Sequence, residues 1–364
     1  MNAQVLRILD KVAPSEFFPA VPQNFVVRPD GQLPARDLLY RPDVSLYCLD
    51  TDDQLAYFVE TTPGVDLTMA PFLYLAQYQH ARQLFTVPYD TLHRIAGEVP
   101  DPARLICVYS VGRCGSTAVS HALGAVCGVR SYSEPDVFTQ IAVLRYEDPA
   151  RDDEYAKLIR SCTRLLGRGA GTLSVKFRAG GIHLADLFQQ VFPDARSLFL
   201  YRHAERWLES MHEGFTAHLP GPQERQTFLR YVVAQAPLLM PFAVRHQRQP
   251  TTVEAYLLTW LSTMDTGLRL SRAGGSLLPV RYEDFTADPI ATLAALLAYC
   301  GLPADEIDVA YETLEADSQA GTLLSRANRQ RAGTPALRDE EYAQARAVLA
   351  EHPTINVPDF AVPT

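Results

Sequence analysis

Two clusters of residues have types and spacings that could do chemistry. The first is Gly112-Arg-Cys-Gly-Ser-Thr117. It offers a cation (Arg113), a conformationally free glycine (Gly115) and two hydroxyls (Ser116 and Thr117) within one turn of chain. The second is Arg202 followed at steps of four by Arg206 and Ser210. On a helix that spacing puts all three on one face. An arginine fork with a hydroxyl beside it is a good phosphate clamp. Both clusters therefore point to an anionic ligand, and together to one with two separated anionic groups.

The elements that must position these residues can be read around them. Residues 105–109 form an apolar β-type run ahead of the glycine turn, and residues 118–126 read as a helix after it. Strand, tight loop and helix aim backbone N–H groups and a helix N-terminus at an anion. The loop departs from G-x-x-x-x-G-K-[ST]: Ser110 stands where the first glycine belongs and Ser116 where the lysine belongs. That lysine reaches the β- and γ-phosphates, so its replacement counts against a kinase or other triphosphate enzyme.

From residue 104 onward strands and helices alternate. Strands are expected at 105–109, 172–177, 196–201 and 276–282. Helices are expected at 152–166, 183–191, 204–215, 229–240, 253–271 and 289–299. This order predicts an α/β fold, a three-layer parallel sheet with helices on both faces. Ligands of such sheets bind beyond the carboxyl ends of the strands. The glycine loop, Lys176, Arg202 and Tyr282 all fall at such ends.

Residues 1–100 read as a small α+β accessory region, and 101–364 as the anion-binding domain. The first part is rich in proline. It carries one plausible hairpin, strands 44–50 and 54–60 around Thr51-Asp-Asp53, and then an aromatic-rich helix over 71–84. Its aromatics could help line an acceptor pocket, although aromatics at helical spacing usually face a core.

The chain of 364 residues carries a net charge of −9 and no basic tract, which argues against a nucleic-acid partner. No apolar run reaches membrane-spanning length, and the N-terminus is a poor secretory signal. Six scattered cysteines without a CxxC pair argue against zinc and fit a cytoplasmic protein. No metal is expected. Cys114, inside the loop, reads as a small filler or as a reactive thiol.

Three motifs, in order, resemble those of the PAPS-dependent sulfotransferases (PAPS is 3′-phosphoadenosine 5′-phosphosulfate). Residues 112–117 resemble the 5′-phosphosulfate loop. Phe192-Pro-Asp-Ala195, the strand after it, Arg202 and Ser210 resemble the 3′-phosphate motif. Val280-Arg-Tyr-Glu-Asp-Phe285, then Asp288-Pro289 and Gly301-Leu-Pro303, resembles the downstream Tyr-Glu-Asp segment.

The resemblance implies a P-loop-type sulfotransferase fold, with PAPS as co-substrate and PAP, the 3′,5′-diphosphate, as product. It implies that Arg113, Cys114, Gly115, Ser116 and Thr117 hold the 5′ end, that Arg202 and Ser210 hold the 3′-phosphate, and that Tyr282 approaches the adenine. Arg329 and Arg331 resemble a basic C-terminal loop over the 3′-phosphate. Lys176 resembles the lysine that follows the family's central strand, where its charge would stabilise the oxygen linking sulfate to phosphate.

Many cytosolic relatives place a histidine base two residues after that lysine. Here the position is Arg178, which cannot act as a base at neutral pH. Ser133-Glu-Pro135 resembles a Gly-Glu-Pro segment of bacterial trehalose-type sulfotransferases, whose glutamate is the base. This makes Glu134 the leading base, ahead of Asp136 and His183. The expected reaction is sulfuryl transfer from PAPS to a hydroxyl, ahead of an amine, of a small-molecule, carbohydrate or natural-product acceptor. A small-molecule kinase and a non-catalytic nucleotide-binding relative are the alternatives. The oligomeric state stays open, a homodimer included.

Overall fold

The structure is a computed structural model. It describes residues 1–12, 19–215, 225–328 and 336–363, with backbone only for 225–228. Two five-stranded sheets organise it. In the C-terminal part, β6 (Arg104–Ser110), β7 (Val129–Ser133), β8 (Thr172–Lys176), β9 (Arg196–Tyr201) and β10 (Leu277–Arg281) form one sheet. Its order is β10-β9-β6-β8-β7. Every neighbouring pair is parallel.

The three inner strands are buried along almost their whole length, because helices cover both faces of a parallel sheet. Leu105, Ile106, Val108, Leu173, Val175, Leu198 and Phe199 are at most 3% exposed. Pro279 lies in β10, an edge strand, where its missing N–H costs no ladder bond. The expected α/β architecture is what forms, and the helices 152–166 and 204–215 fall on the expected residues.

The N-terminal part departs from expectation. In place of a single hairpin it forms an antiparallel sheet of β1 (Asn2–Lys11), β2 (Phe25–Pro34), β3 (Val44–Asp50), β4 (Leu55–Thr61) and β5 (Ala81–Pro88), in the order β2-β1-β5-β4-β3. The hairpin β3–β4 is there. The helix expected over 71–84 is confined to Leu73–His80, and from Ala81 the chain enters β5 and pairs with both β1 and β4. Two free ladders outweigh a helix whose apolar residues lie all round it. Strand β2 tolerates Pro29 and Pro34 because it is the other edge. Two register shifts between β1 and β2 absorb the misfit.

Helix Asp136–Glu147, not anticipated in the sequence, joins the two sheets. Gln140 on it donates to Ala20 O (3.1 Å) and Leu49 O (2.7 Å) and accepts from Leu49 N–H (2.7 Å). One hydrophobic cluster runs from Val5, Leu46 and Phe58 through to Leu105 and Leu165. Among the described residues no helix is long and apolar enough to cross a membrane.

Candidate active site

The carboxyl ends of β6, β8 and β9 open on a cavity of about 940 Å³. Its wall includes Gly112, Arg113, Gly115, Ser116, Thr117, Glu134, Lys176, Arg202, Ser210 and Tyr282. Most of the residues singled out in the sequence therefore meet there.

The loop after β6 is built from left-handed backbone: φ is 75° at Gly112, 52° at Arg113 and 79° at Gly115. Arg113 takes that conformation without glycine's freedom, a strain the surroundings must hold. They do so from below. Trp207, in helix Ala204–Phe215, donates its indole N–H to the carbonyls of Val111 and Gly112, each at 3.0 Å. Gly112 N–H donates to Ser110 Oγ (3.2 Å). Gly115 then caps helix Ser116–Ala125 without a side-chain bond, which leaves the first N–H groups of that helix facing the cavity. A Cβ on Gly115 would stand 3.2 Å from the Tyr282 ring, so glycine is required for space as well as for φ.

Cys114 is corrected by the structure as a contributor of a side chain. Its thiol is fully buried and donates to Leu200 O (3.4 Å), and burial pushes it up to about 11. It does not line the cavity.

The second cluster divides. Arg202 follows the last residue of β9 and lies before the helix. Its guanidinium stacks over the Tyr282 ring (4.6 Å) and donates from Nη1 to Arg113 O (3.2 Å). Its Nε is buried with no hydrogen-bond partner among the described residues. Ser210 is buried and accepts from Arg113 Nε (3.1 Å). Arg206 instead points to solvent and pairs with Glu209 (3.4 Å), a surface ion pair of little weight. Tyr282 opens a helix, Tyr282–Ala287, where a strand end was expected. Arg329 and Arg331 lie outside the described residues.

Beside the loop, β7 and β8 deliver a cluster of four charges. Glu134 follows β7 with φ 57°, and its N–H donates to Lys176 O (2.6 Å). Its carboxylate is ion-paired with Lys176 Nζ, and the other oxygen lies 3.6 Å from Arg178 Nε. Arg178 in turn forks onto Asp136, with Nε–Oδ1 at 2.6 Å and Nη2–Oδ2 at 3.2 Å. Asp136 also accepts from Ala20 N–H (2.7 Å). Burial pushes the Asp136 carboxyl upward while Arg178 pulls it down.

Of the three candidate bases only Glu134 lines the cavity. Asp136 is fully enclosed by its partners. His183 is held between Gln235 O and Thr266 Oγ1, each at 3.1 Å, and burial lowers its affinity for a proton.

Three contributors were not visible in the sequence. Trp207 holds the loop; it lies five residues past Arg202, a position that could have marked it. Gln319 donates to Thr117 Oγ1 (2.8 Å) from more than two hundred residues away, and nothing local signals it. Tyr231 lines the cavity wall beside Arg178, 6.0 Å from its ring centre. Of the N-terminal aromatics among the described residues only Phe72 reaches the cavity; Tyr74 and Phe85 are core.

The family model described as "Sulfotransferase family" matches residues 178–306. This stretch carries Arg202, Ser210 and Tyr282, and over it the chain is similar to that family. No curated protein matches. Among solved structures, a Mycobacterium avium sulfotransferase is 15% identical over 72% of this chain and 79% of its own, with a TM-score of 0.42. A Mycobacterium tuberculosis sulfotransferase is 17% identical over 62% and 76%, with a TM-score of 0.36. A mouse sulfotransferase complexed with PAP is 12% identical over 71% and 88%, with a TM-score of 0.39. Likenesses this distant carry no argument about substrate or site.

Proposed function

We propose that this protein transfers a sulfuryl group from PAPS to the hydroxyl, ahead of an amine, of a small-molecule, carbohydrate or natural-product acceptor, with Glu134 as general base. The observation that carries the reading is the meeting of Glu134 and Lys176 with the glycine loop and the Arg202–Ser210 pair on one cavity wall.

The residues fit such a donor. The helix start at Ser116 is uncapped, and Arg202 keeps a buried N–H with no partner among the described residues. A buried donor without a partner costs about 1–3 kcal/mol, which an anion would recover. Gly115, Ser116, Thr117 and the loop N–H groups would hold the 5′ end. Arg202 and Ser210 would hold the 3′-phosphate, and Tyr282 would lie toward the adenine. Arg113, resting on Ser210, is shared by the two sets. PAPS, when bound, supplies an activated sulfuryl group and leaves as PAP.

Within this arrangement Glu134 takes the proton of the acceptor hydroxyl. Lys176, ion-paired with that carboxylate, supplies positive charge where the leaving oxygen becomes anionic. Positioning and electrostatics do most of the work, as in phosphoryl transfer.

Calorimetry with PAP and with ATP–Mg²⁺ tests the donor, and an acceptor screen with radiolabelled PAPS tests the transfer. PAP should bind more tightly; tighter ATP binding would favour a kinase. Glu134→Gln should lower turnover about 10²–10⁴-fold and leave PAP binding intact. Wild-type rates in that variant would remove Glu134 from the role.

A further inference from the structure

The base is held by a second layer of charge that reaches into the N-terminal sheet. Glu134 sits in left-handed backbone (φ 57°), a conformation a glutamate adopts only under constraint. Its carboxylate lies between two cations, Lys176 on one oxygen and Arg178 on the other. Arg178 is itself fixed on three sides. Asp136 accepts its fork, the Tyr74 ring lies 4.6 Å beneath its guanidinium, and the Tyr231 ring lies 6.0 Å away. Asp136 is fixed in turn by the N–H of Ala20. Tyr74 comes from helix Leu73–His80, and Pro71, just before that helix, accepts from Ser133 Oγ (2.6 Å).

We propose that Arg178 is a positioning residue for Glu134, oriented by Asp136, and that residues 1–100 serve the site by anchoring this pair through Ala20 and Tyr74. The inference rests on Glu134 being the base. A buried arginine with two acidic neighbours is expensive unless every bond is made. Here the fork goes to Asp136, and the same Nε lies 3.6 Å from the Glu134 carboxylate, so rotating Glu134 away would lose an ion pair already in place. The carboxylate is thus pre-oriented toward the cavity before an acceptor arrives, and misplacing such a group by an ångström costs about a hundredfold in rate.

The charged groups facing Glu134 are Lys176, Arg178 and Asp136. Tyr74 and Tyr231 stay neutral, because burial pushes both hydroxyls far up. Two substitutions therefore act in opposite directions. Arg178→Gln removes a positive neighbour and should move the titration of Glu134 to higher pH. Asp136→Asn removes a negative neighbour and should move it to lower pH. Both release the geometry, so both should lower kcat about ten- to a hundredfold with the PAPS KM little changed. Arg178→Lys keeps the charge and loses the fork, so it should recover the titration and not the rate.

The titration is read directly by ¹³C NMR of glutamate-labelled full-length protein, with Glu134→Gln to assign the signal. This readout needs no acceptor. Opposite shifts in the two variants support the inference even where no acceptor has been found. Unmoved titration in folded, PAP-binding variants overturns it. If Arg178→Gln does not fold, the near-isosteric Asp136→Asn and the charge-keeping Arg178→Lys decide. Failure of the wild-type protein to transfer sulfate while these shifts occur would count against the proposed function alone.

Discussion

Arg113 Nε donates to Ser210 Oγ across 3.1 Å and so ties the glycine loop to helix 204–215. Arg202 closes the same link from the other side by donating to the carbonyl of Arg113. The two anion-directed clusters are thereby fastened side by side.

Arg202→Ala should therefore weaken PAP binding about 10- to 100-fold, the range of a charge-assisted hydrogen bond. Binding of adenosine 5′-monophosphate, which lacks the 3′ group, should change much less. Parallel calorimetric titrations check this. Equal losses for both nucleotides would mean that the substitution collapses the loop and removes no 3′-phosphate contact.

Gly115→Ala places a methyl group on a residue with φ 79° and 3.2 Å from the Tyr282 ring. The left-handed backbone alone costs about 1–2 kcal/mol for a residue other than glycine. Urea unfolding should show a loss of at least that size, with weakened PAP binding. Adding Tyr282→Ala should relieve the contact and leave the backbone cost in place.

Cys114 should resist alkylation in the folded protein. Its thiol is pushed up to about 11 by burial, so at pH 8 roughly one part in a thousand is thiolate. Cys127 is exposed. Iodoacetamide followed by peptide mass mapping should label Cys127 first, and Cys114 only after unfolding. Rapid labelling of Cys114 in native protein would show that the loop opens.

Glu254 sets a pH dependence of stability. Its carboxylate accepts from Arg248 at 2.7 and 2.6 Å and from Thr251 N–H at 2.7 Å, and Thr251 Oγ1 accepts Glu254 N–H at 3.3 Å. This is a capping box at the start of helix Thr252–Arg272. The bond from Arg248 is the main cause that holds the carboxyl below its usual value. A carboxyl lowered by folding stabilises the fold above its unfolded value, near 4.3, and loses that contribution as pH falls through the folded value. Glu254→Gln should therefore cost about 1 kcal/mol at pH 7, the lower end of the range because Arg248 is half exposed. The difference from wild type should shrink below about pH 4, which urea unfolding at the two pH values measures.

Local sequence was enough for four of the five parallel strands and for the loop, while β7 (Val129–Ser133), a short edge strand, was not legible. Apolar runs such as 105–109 and 196–201, punctuated by glycine or arginine, carry their own strand signal because both faces of the sheet are buried. The glycines at 112 and 115 carry the turn signal because only the backbone matters there. Of the N-terminal sheet only the β3–β4 hairpin was legible. Strands β1 and β2 are largely exposed, β2 contains two prolines, and β5 begins inside a segment with helical composition. Long-range ladders decide such cases, and no window of sequence contains them.

For the site, the amino-acid sequence by itself determined which chemistry was on offer: Arg113, Ser116, Thr117, Arg202 and Ser210 for anions, with Glu134 and Lys176 beside them. Only the tertiary structure decided which of these meet and which are spent elsewhere. Asp136 and His183 are chemically able to take a proton, yet their polar atoms are occupied by Arg178 and Ala20, and by Gln235 and Thr266. Glu134 alone of the three lines the cavity. The reason is physical. A side chain's chemistry is set by its type, whereas its availability is set by hydrogen bonds and ion pairs made to residues far away in the chain.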